Sequence, residues 1–273
     1  MLNEAEFALI AREVKTRSGA VLPRELAGAI ETRLQPLARR EGFSSVSELL
    51  AAARIRPDGA LWNSAADALA QSETRFFRDR AQFDALRTEI LPAALARRGH
   101  ERARIWSAAC STGQEAYSVA MLVDDLRLEG MNPAVEILAT DLSERLLDKA
   151  RAGLYTQFEI QRGLPIRRLI SHFEKAGDLW RISDRLRASV RFEAFNLMKH
   201  PGPLGQFDII MLAHVLPSFD AETRAAVIAR TLDVLHPEGA IMLGAGEVLP
   251  EGCEGLTLEN GIARRSNAAR RAA

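Results

Sequence analysis

Four stretches of the chain carry residue types able to hold a polar, nucleotide-like ligand. Residues 107–115 (S-A-A-C-S-T-G-Q-E) lie between a strand-like Arg104-Ile105-Trp106 and a helix-like run at 116–123. Small residues at such a junction let the backbone approach a ligand closely. The run holds one glycine, Gly113, so it misses the G-x-G-x-x-G fingerprint and by itself reads as a tight strand–helix turn. A second acid, Asp141, follows a strand-like run at 135–140, where ribose hydroxyls are held in nucleotide-binding folds. Taken singly, Glu115 is a first-turn acid favoured by the helix dipole and Asp141 a helix N-cap. Taken together, after successive strands, both fall on the carboxyl edge of one sheet, which points to an adenosine-like cofactor.

The second stretch, residues 71–79 (Q-S-E-T-R-F-F-R-D), joins two unlike parts of the chain. Ser72 suits a helix cap, and Phe76 and Phe77 suit a core. Arg78 is a guanidinium able to clamp a carboxylate with two prongs. The third is Asn196-Leu197, where the amide can read an adenine edge or simply make a turn. The fourth is the apolar run at 207–216, a buried strand with His214 near its end. A histidine there is either ligand-facing or packed and hydrogen-bonded. Neither H-E-x-x-H nor G-x-S-x-G occurs, which disfavours metal and serine hydrolysis.

These stretches need elements to position them. Residues 3–18 predict a helix with an Asn3/Glu6 capping box and Gly19 at its end. A second helix is expected over 23–41, with Pro36 kinking or splitting it, and two more over 47–53 and 58–70. After Arg104, strand-like runs at 104–108, 135–140, 190–193, 207–213 and 239–245 alternate with helix-like runs at 115–128, 143–152 and 221–235. That alternation predicts a parallel α/β sheet. Between 155 and 195 it breaks: 161–173 reads as a helix, and 179–182 and 188–192 read as an antiparallel pair in a small insertion. The expected division is a helical domain at 1–75, an α/β domain at 76–262 with an insertion at about 157–193, and a mobile basic tail at 263–273.

Composition narrows the class. The chain has 273 residues, 36 Lys+Arg against 36 Asp+Glu, and two cysteines. Balanced charge gives no footprint for nucleic acid. Two cysteines without a C-x-x-C pair give neither a disulfide scaffold nor a zinc site, so no metal is expected. The first residues lack a basic and then apolar signal pattern, and no apolar run reaches membrane-spanning length; a cytoplasmic location is expected.

In their order along the chain these segments resemble the chemotaxis receptor methyltransferases, the CheR family. The matching runs are S-E-T-R-F-F-R-D at 72–79, I-W-S-A-A-C-S-T-G-Q-E-A-Y-S at 105–118 and I-L-A-T-D-L-S at 137–143. Further on come A-x-x-G-x-Y at 150–155, R-G-L-P at 162–165, F-N-L at 195–197 and V-L-x-x-F-D at 215–220. The resemblance implies a Rossmann-like methyltransferase sheet with an N-terminal helical domain and a small antiparallel insertion. It implies S-adenosylmethionine as cofactor, S-adenosylhomocysteine as product, and glutamate side chains in the cytoplasmic domain of chemoreceptors as substrate.

The resemblance further implies that Ser72, Thr74, Arg78, Glu115, Asp141, Asn196 and Leu197 line the cofactor pocket. Thr74 and Arg78 would lie near its amino-acid end, Glu115 and Asp141 toward the amine and the ribose, and Asn196 and Leu197 near the adenine. The family usually has Asn where Ser72 stands, Arg-Asn where this chain has Ala213-His214, and Tyr where it has Ser218. His214 would hydrogen-bond in place of that asparagine. Two outcomes follow from these departures: receptor methylation, or a cofactor-binding signalling module with weak or no transfer. Arg33, Arg39 and Arg40 fall on the helix that docks on the receptor in the family, and the short turn at 174–178 implies recognition independent of a receptor's C-terminal tail peptide. A glutamate with a pKa of about 4.3 is already a nucleophilic carboxylate at neutral pH, so the chemistry needs alignment and no general base.

Overall fold

The computed structural model describes residues 2–56, 59–70 and 73–266. Helix α1 (Glu4–Ser18) starts at the Asn3/Glu6 capping box and ends on Gly19, whose φ of 76° no β-carbon favours. A 3-10 turn (Arg24–Leu26) leads into α2 (Ala27–Arg40). Helix α2 runs through Pro36 without splitting, because Leu34 and Leu37 on either side of the proline stay buried in the core that also takes Ile30. With α3 (Val46–Ile55) and α4 (Ala60–Leu69), these helices close around Ile10, Leu49 and Trp62.

Helix α5 (Arg80–Ala85), a π-helical turn (Leu86–Ile90) and α6 (Leu91–Arg98) carry the chain to the sheet. Ten strands follow: β1 (Ala103–Ala108), β2 (Val135–Asp141), β3 (Leu154–Thr156), β4 (Phe173–Ala176), β5 (Leu179–Ile182), β6 (Val190–Ala194), β7 (Phe207–Met211), β8 (Leu235–Met242), β9 (Leu256–Glu259) and β10 (Ile262–Arg265). Seven of them form one sheet in the order β6-β2-β1-β7-β8-β10-β9. The first five in that order are parallel, and β10 and β9 close the edge antiparallel. Crossover helices α7 (Gln114–Leu128) and α8 (Glu144–Ala152) follow β1 and β2. The order reverses between β1 and β7, which opens a crevice at their carboxyl ends.

Three expectations are corrected here. The helix expected over 161–173 is two, α9 (Gln157–Gln161) and α10 (Ile166–His172). Pro165 caps the second, and Gly163 between them has φ 99°. A β-carbon on Gly163 would lie 2.1 Å from the Phe76 carbonyl oxygen, so the R-G-L-P turn is a close backbone contact against the 73–79 segment. The expected antiparallel pair also does not form. Strand β5 pairs with β3 and β4 in a separate three-stranded sheet, α11 (Asp184–Ala188) intervenes, and β6 joins the main sheet parallel to β2. Alternation alone does not choose a strand's partner. Third, residues 262–265 are strand β10, paired with β8 and β9, and not the start of a tail; residues 267–273 lie outside the described residues. Helix α12 (Ala221–Asp233), capped by Asp220, precedes β8. Among the described residues no helix is long and apolar enough to cross a membrane.

Candidate active site

A cavity of about 340 Å³ lies between the helical unit and the carboxyl ends of β1, β2, β6 and β7. That is within the size range of small-molecule sites. Val14, Ser18 and Leu69 form its roof, and Thr74, Arg78, Glu115, Asp141, Asn196, Leu197 and His214 all line it. Ser72 lies outside the described residues.

The 107–115 loop is pinned from beneath. Asp141, buried at the end of β2, accepts the backbone N–H of Ser111 at 2.8 Å and of Ser143 at 2.9 Å. The Cys110 N–H donates to the Thr140 carbonyl at 2.8 Å. These bonds hold Ala109 (φ 55°) and Ser111 (φ 53°) in left-handed backbone that ordinary residues seldom adopt. Gly113 has a different task. Its absent β-carbon would sit 2.9 Å from the Ala150 β-carbon, so it lets α7 pack on α8 and takes no part in lining the cavity. Two buried tyrosines complete the support: Tyr155 Oη donates to Thr112 O and Tyr117 Oη to Ala150 O, both at 2.8 Å. The tyrosine of the G-x-Y run thus supports the loop, and that of the A-Y-S run ties α7 to α8.

The acids of this wall are short of cations. Burial pushes the Glu115 carboxyl up to about 7, aided by Asp79 and Glu247 and opposed by the Ser107 hydroxyl, which donates to it at 2.7 Å, and by Arg78. Burial also raises Asp141, against the backbone N–H groups of Ser143 and Ser111. The Cys110 thiol is pushed well up by burial and by Asp141 and Glu115, so it is an inert wall residue. The buried Ser111 Oγ has no hydrogen-bond partner. A ligand offering a cation to Glu115 and polar groups to Ser111 and Asp141 would relieve all three.

The opposite wall is residues 213–218. Backbone at His214 is left-handed (φ 61°). Its N–H donates to Glu247 Oε2 at 3.1 Å, and its ring Nε2 lies 2.7 Å from Asp79 Oδ2. Asp79 precedes α5 at the N-cap position but makes no side-chain cap bond; its carboxylate turns to His214 and to the Ala245 N–H at 3.1 Å. Ser218 Oγ donates to the Val215 carbonyl at 2.7 Å. Arg78 is half-buried, with Nη1 on the Glu73 carbonyl at 3.0 Å.

Asn196 is partly committed elsewhere. Its Nδ2 donates to the Arg17 carbonyl at 2.5 Å and its Oδ1 accepts the Met198 N–H at 2.9 Å, tying the β6 end to α1. Arg33, Arg39 and Arg40 are exposed on α2, away from the cavity lining. Asp79, Glu247 and Ser107 are site residues that the motif reading passes over. The one available signal is Asp79's place directly after Arg78.

The family model described as "CheR methyltransferase, SAM binding domain" matches residues 72–260. The chain belongs to the CheR methyltransferase family. Curated CheR relatives cover almost the whole chain. "Chemotaxis protein methyltransferase 1" of Pseudomonas aeruginosa is 36% identical over 250 residues, covering 90% of each chain. "Chemotaxis protein methyltransferase Cher2" of Pseudomonas putida is 35% identical over 224 residues, covering 81% of this chain and 82% of its own. "Chemotaxis protein methyltransferase" of Salmonella typhimurium is 31% identical, covering 90% and 84%. Membership brings S-adenosylmethionine binding to this chain.

Proposed function

We propose that the protein transfers the methyl group of S-adenosylmethionine to glutamate side chains of chemoreceptors, forming methyl esters. When bound, the cofactor supplies a sulfonium methyl: its S–C bond breaks as a carboxylate lone pair forms the O–C bond, the charges cancel and no proton moves. Thr74, Arg78, Glu115, Asp141, Asn196 and Leu197 hold the cofactor, with Glu115 toward the amine and Asp141 toward the ribose. The observation that carries this reading is the arrangement of one cavity: Glu115 and Asp141 with no ion-pair partner among the described residues, Arg78 and His214 in the same lining, and no activated nucleophile among the lining residues. That inventory suits a reaction catalysed by alignment and charge.

The exposed arginines Arg33, Arg39 and Arg40 on α2 dock the acidic face of the receptor. The β4–β5 hairpin turns tightly, pairing Ala176 with Leu179, which fits recognition without a receptor tail peptide. The test is incubation with radiolabelled S-adenosylmethionine and receptor-bearing membranes from the same source. Base-labile label on the receptors is expected. Tight cofactor binding by calorimetry with no label on any membrane protein would overturn the reading in favour of a cofactor-bound signalling module.

A further inference from the structure

Beside the mouth of the cavity, the insertion holds an apolar face open to solvent. Helix α10 packs inward through Leu169 and His172. On its flank, Arg168 lies over the Phe77 ring at 4.4 Å and pairs with Asp125 at 2.6 Å. Its outer face carries Ile166 and Ile170, one helical turn apart and 66% and 77% exposed. On α9, Phe158 is 66% exposed, with the Arg162 guanidinium 5.4 Å from its ring centre. A single exposed apolar residue is ordinary. Three large ones between residues 158 and 170, on two short helices, are what an interaction face presents.

This face is fastened to the mouth. Gly163, between the two helices, sits directly on the Phe76 carbonyl. Arg162 Nη2 lies 3.3 Å from Glu73 Oε1, and both Glu73 and Arg75 line the cavity. The cavity rim and the outer faces of α9 and α10 are therefore one continuous surface. Its charge is uneven. Glu73 is engaged by Arg162, and Glu159 of α9 is engaged by Lys149. Arg75 and Arg167 are exposed, and neither has an ion-pair partner among the described residues.

We propose that this strip docks an acidic, amphipathic segment of the methyl acceptor: Arg75 at the mouth, with Phe158, Arg162, Ile166, Arg167 and Ile170 beyond it. The proposal rests on the receptor-methylation reading above and adds a second contact to the arginines of α2. Charge complementarity names the occupant. An acceptor whose reacting groups are glutamates carries negative charge around them, and the chain flanking one glutamate must cross the rim for that side chain to enter. The isoleucines then bury the apolar edge of the segment while the arginines meet its carboxylates. An anionic membrane also suits an apolar and basic face. A bilayer is flat, however, whereas this strip runs to the lip of a cavity through Arg75, where a side chain can follow.

Two measurements on the full chain test this. The first is labelling of receptor-bearing membranes at saturating S-adenosylmethionine. I166E/I170E should lower kcat/KM for receptor by about 10- to 100-fold, the range of lost docking anchors, with the change carried in KM. Its melting temperature and S-adenosylhomocysteine affinity should match wild type, because both side chains are exposed. R75E should lower kcat/KM by about 5- to 20-fold at about 50 mM salt and by only about twofold at about 0.5 M, and R75K should stay within about threefold of wild type. An unchanged KM in I166E/I170E and R75E, with wild type labelling normally, overturns the proposal and leaves the methylation reading standing.

The second is co-sedimentation of the protein loaded with S-adenosylhomocysteine, with the same membranes and with protein-free vesicles of phosphatidylglycerol and phosphatidylethanolamine. Pelleting with receptor membranes that I166E/I170E abolishes, and none with vesicles, is expected. Pelleting with vesicles that I166E/I170E abolishes gives the face to lipid and overturns the proposal. A wild-type dimer in sedimentation velocity that the same variant dissociates gives it to a second copy and also overturns it. If wild type labels no receptor, the methylation reading fails, and strip-dependent pelleting with receptor membranes alone decides whether the face docks that partner.

Discussion

On the 107–115 side of the cavity, the loop is fixed by bonds from neighbouring elements: Asp141, the Thr140 carbonyl and the buried Tyr155. On the 213–218 side, His214 is held by partners from stretches far apart in the chain, Asp79 at its ring and Glu247 at its backbone N–H. The first wall is a property of the sheet edge and tolerates little change. The second is assembled from side chains that can be exchanged one at a time. If the proposed reading holds, cofactor binding rests on the part of the cavity that is hardest to alter, with the 213–218 side left freer to change.

The largest expected effect comes from breaking the rigid wall. Asp141→Ala removes the acceptor of two backbone N–H groups and, on the proposed reading, the ribose anchor with it. Cofactor affinity should fall by about 100-fold or more in calorimetry, as two charge-assisted bonds at about 1.5–3 kcal/mol each imply. A loss below about fivefold would mean that the loop holds its shape without the acid.

Next is Glu115. Its folded pKa of about 7 lies above the ordinary glutamate value of 4.5, so the folded apo protein binds more protons than the unfolded chain between those values. Apo stability contributed by this group is therefore present at acid pH and is lost as pH rises toward and beyond about 7. Cofactor ammonium favours the ionised form, so binding below about pH 7 should release a proton and weaken with acid. Glu115→Gln should raise the melting temperature of the apo protein above neutral pH and remove both the proton release and the acid weakening. Calorimetry in buffers of different ionisation enthalpy reads the protons directly.

A smaller effect is expected from Tyr155→Phe, which deletes the bond to the Thr112 carbonyl and leaves that carbonyl buried. Stability should fall by about 1–2 kcal/mol, with a cofactor affinity loss of about threefold to tenfold. The smallest is Ser218→Tyr on the exchangeable wall. Cofactor affinity should stay within about threefold, since the Ser218 hydroxyl now serves only the Val215 carbonyl, while methyl transfer rises by the worth of one added hydrogen bond, about threefold to tenfold. If Ser218→Tyr disturbed cofactor binding as much as Asp141→Ala does, the two walls would not differ as argued.

What could be read in the sequence follows the same division. Local signals sufficed where structure is made locally: the Asn3/Glu6 box, the alternation from β1 to β8, and the placing of Glu115 in the first turn of α7 and Asp141 at the end of β2. They failed where a partner is distant. Nothing near 179–182 says that it pairs with 154–156 and 173–176 rather than with 188–192. Nothing near Gly163 announces the Phe76 carbonyl, and nothing near Ile262 announces β8. Asn196 has the right type for reading a base but is also a strut to Arg17, 179 residues away. Asp79 and Glu247 went unseen because their work depends on a histidine more than thirty positions from either.

The roof of the cavity has one more consequence. Helix α1 ends on it: the Arg17 carbonyl takes Asn196, Lys15 pairs with Asp220 at 2.5 Å, and the Val21 N–H reaches the Ser218 carbonyl at 2.8 Å. The same helix shares a core with α2, whose outer face carries Arg33, Arg39 and Arg40. A partner that docked on α2 and a nucleoside bound below α1 would therefore act on one helical core from two sides. Thermodynamic reciprocity then fixes a bargain between them: whatever factor the partner applies to cofactor affinity, the cofactor must return to the partner.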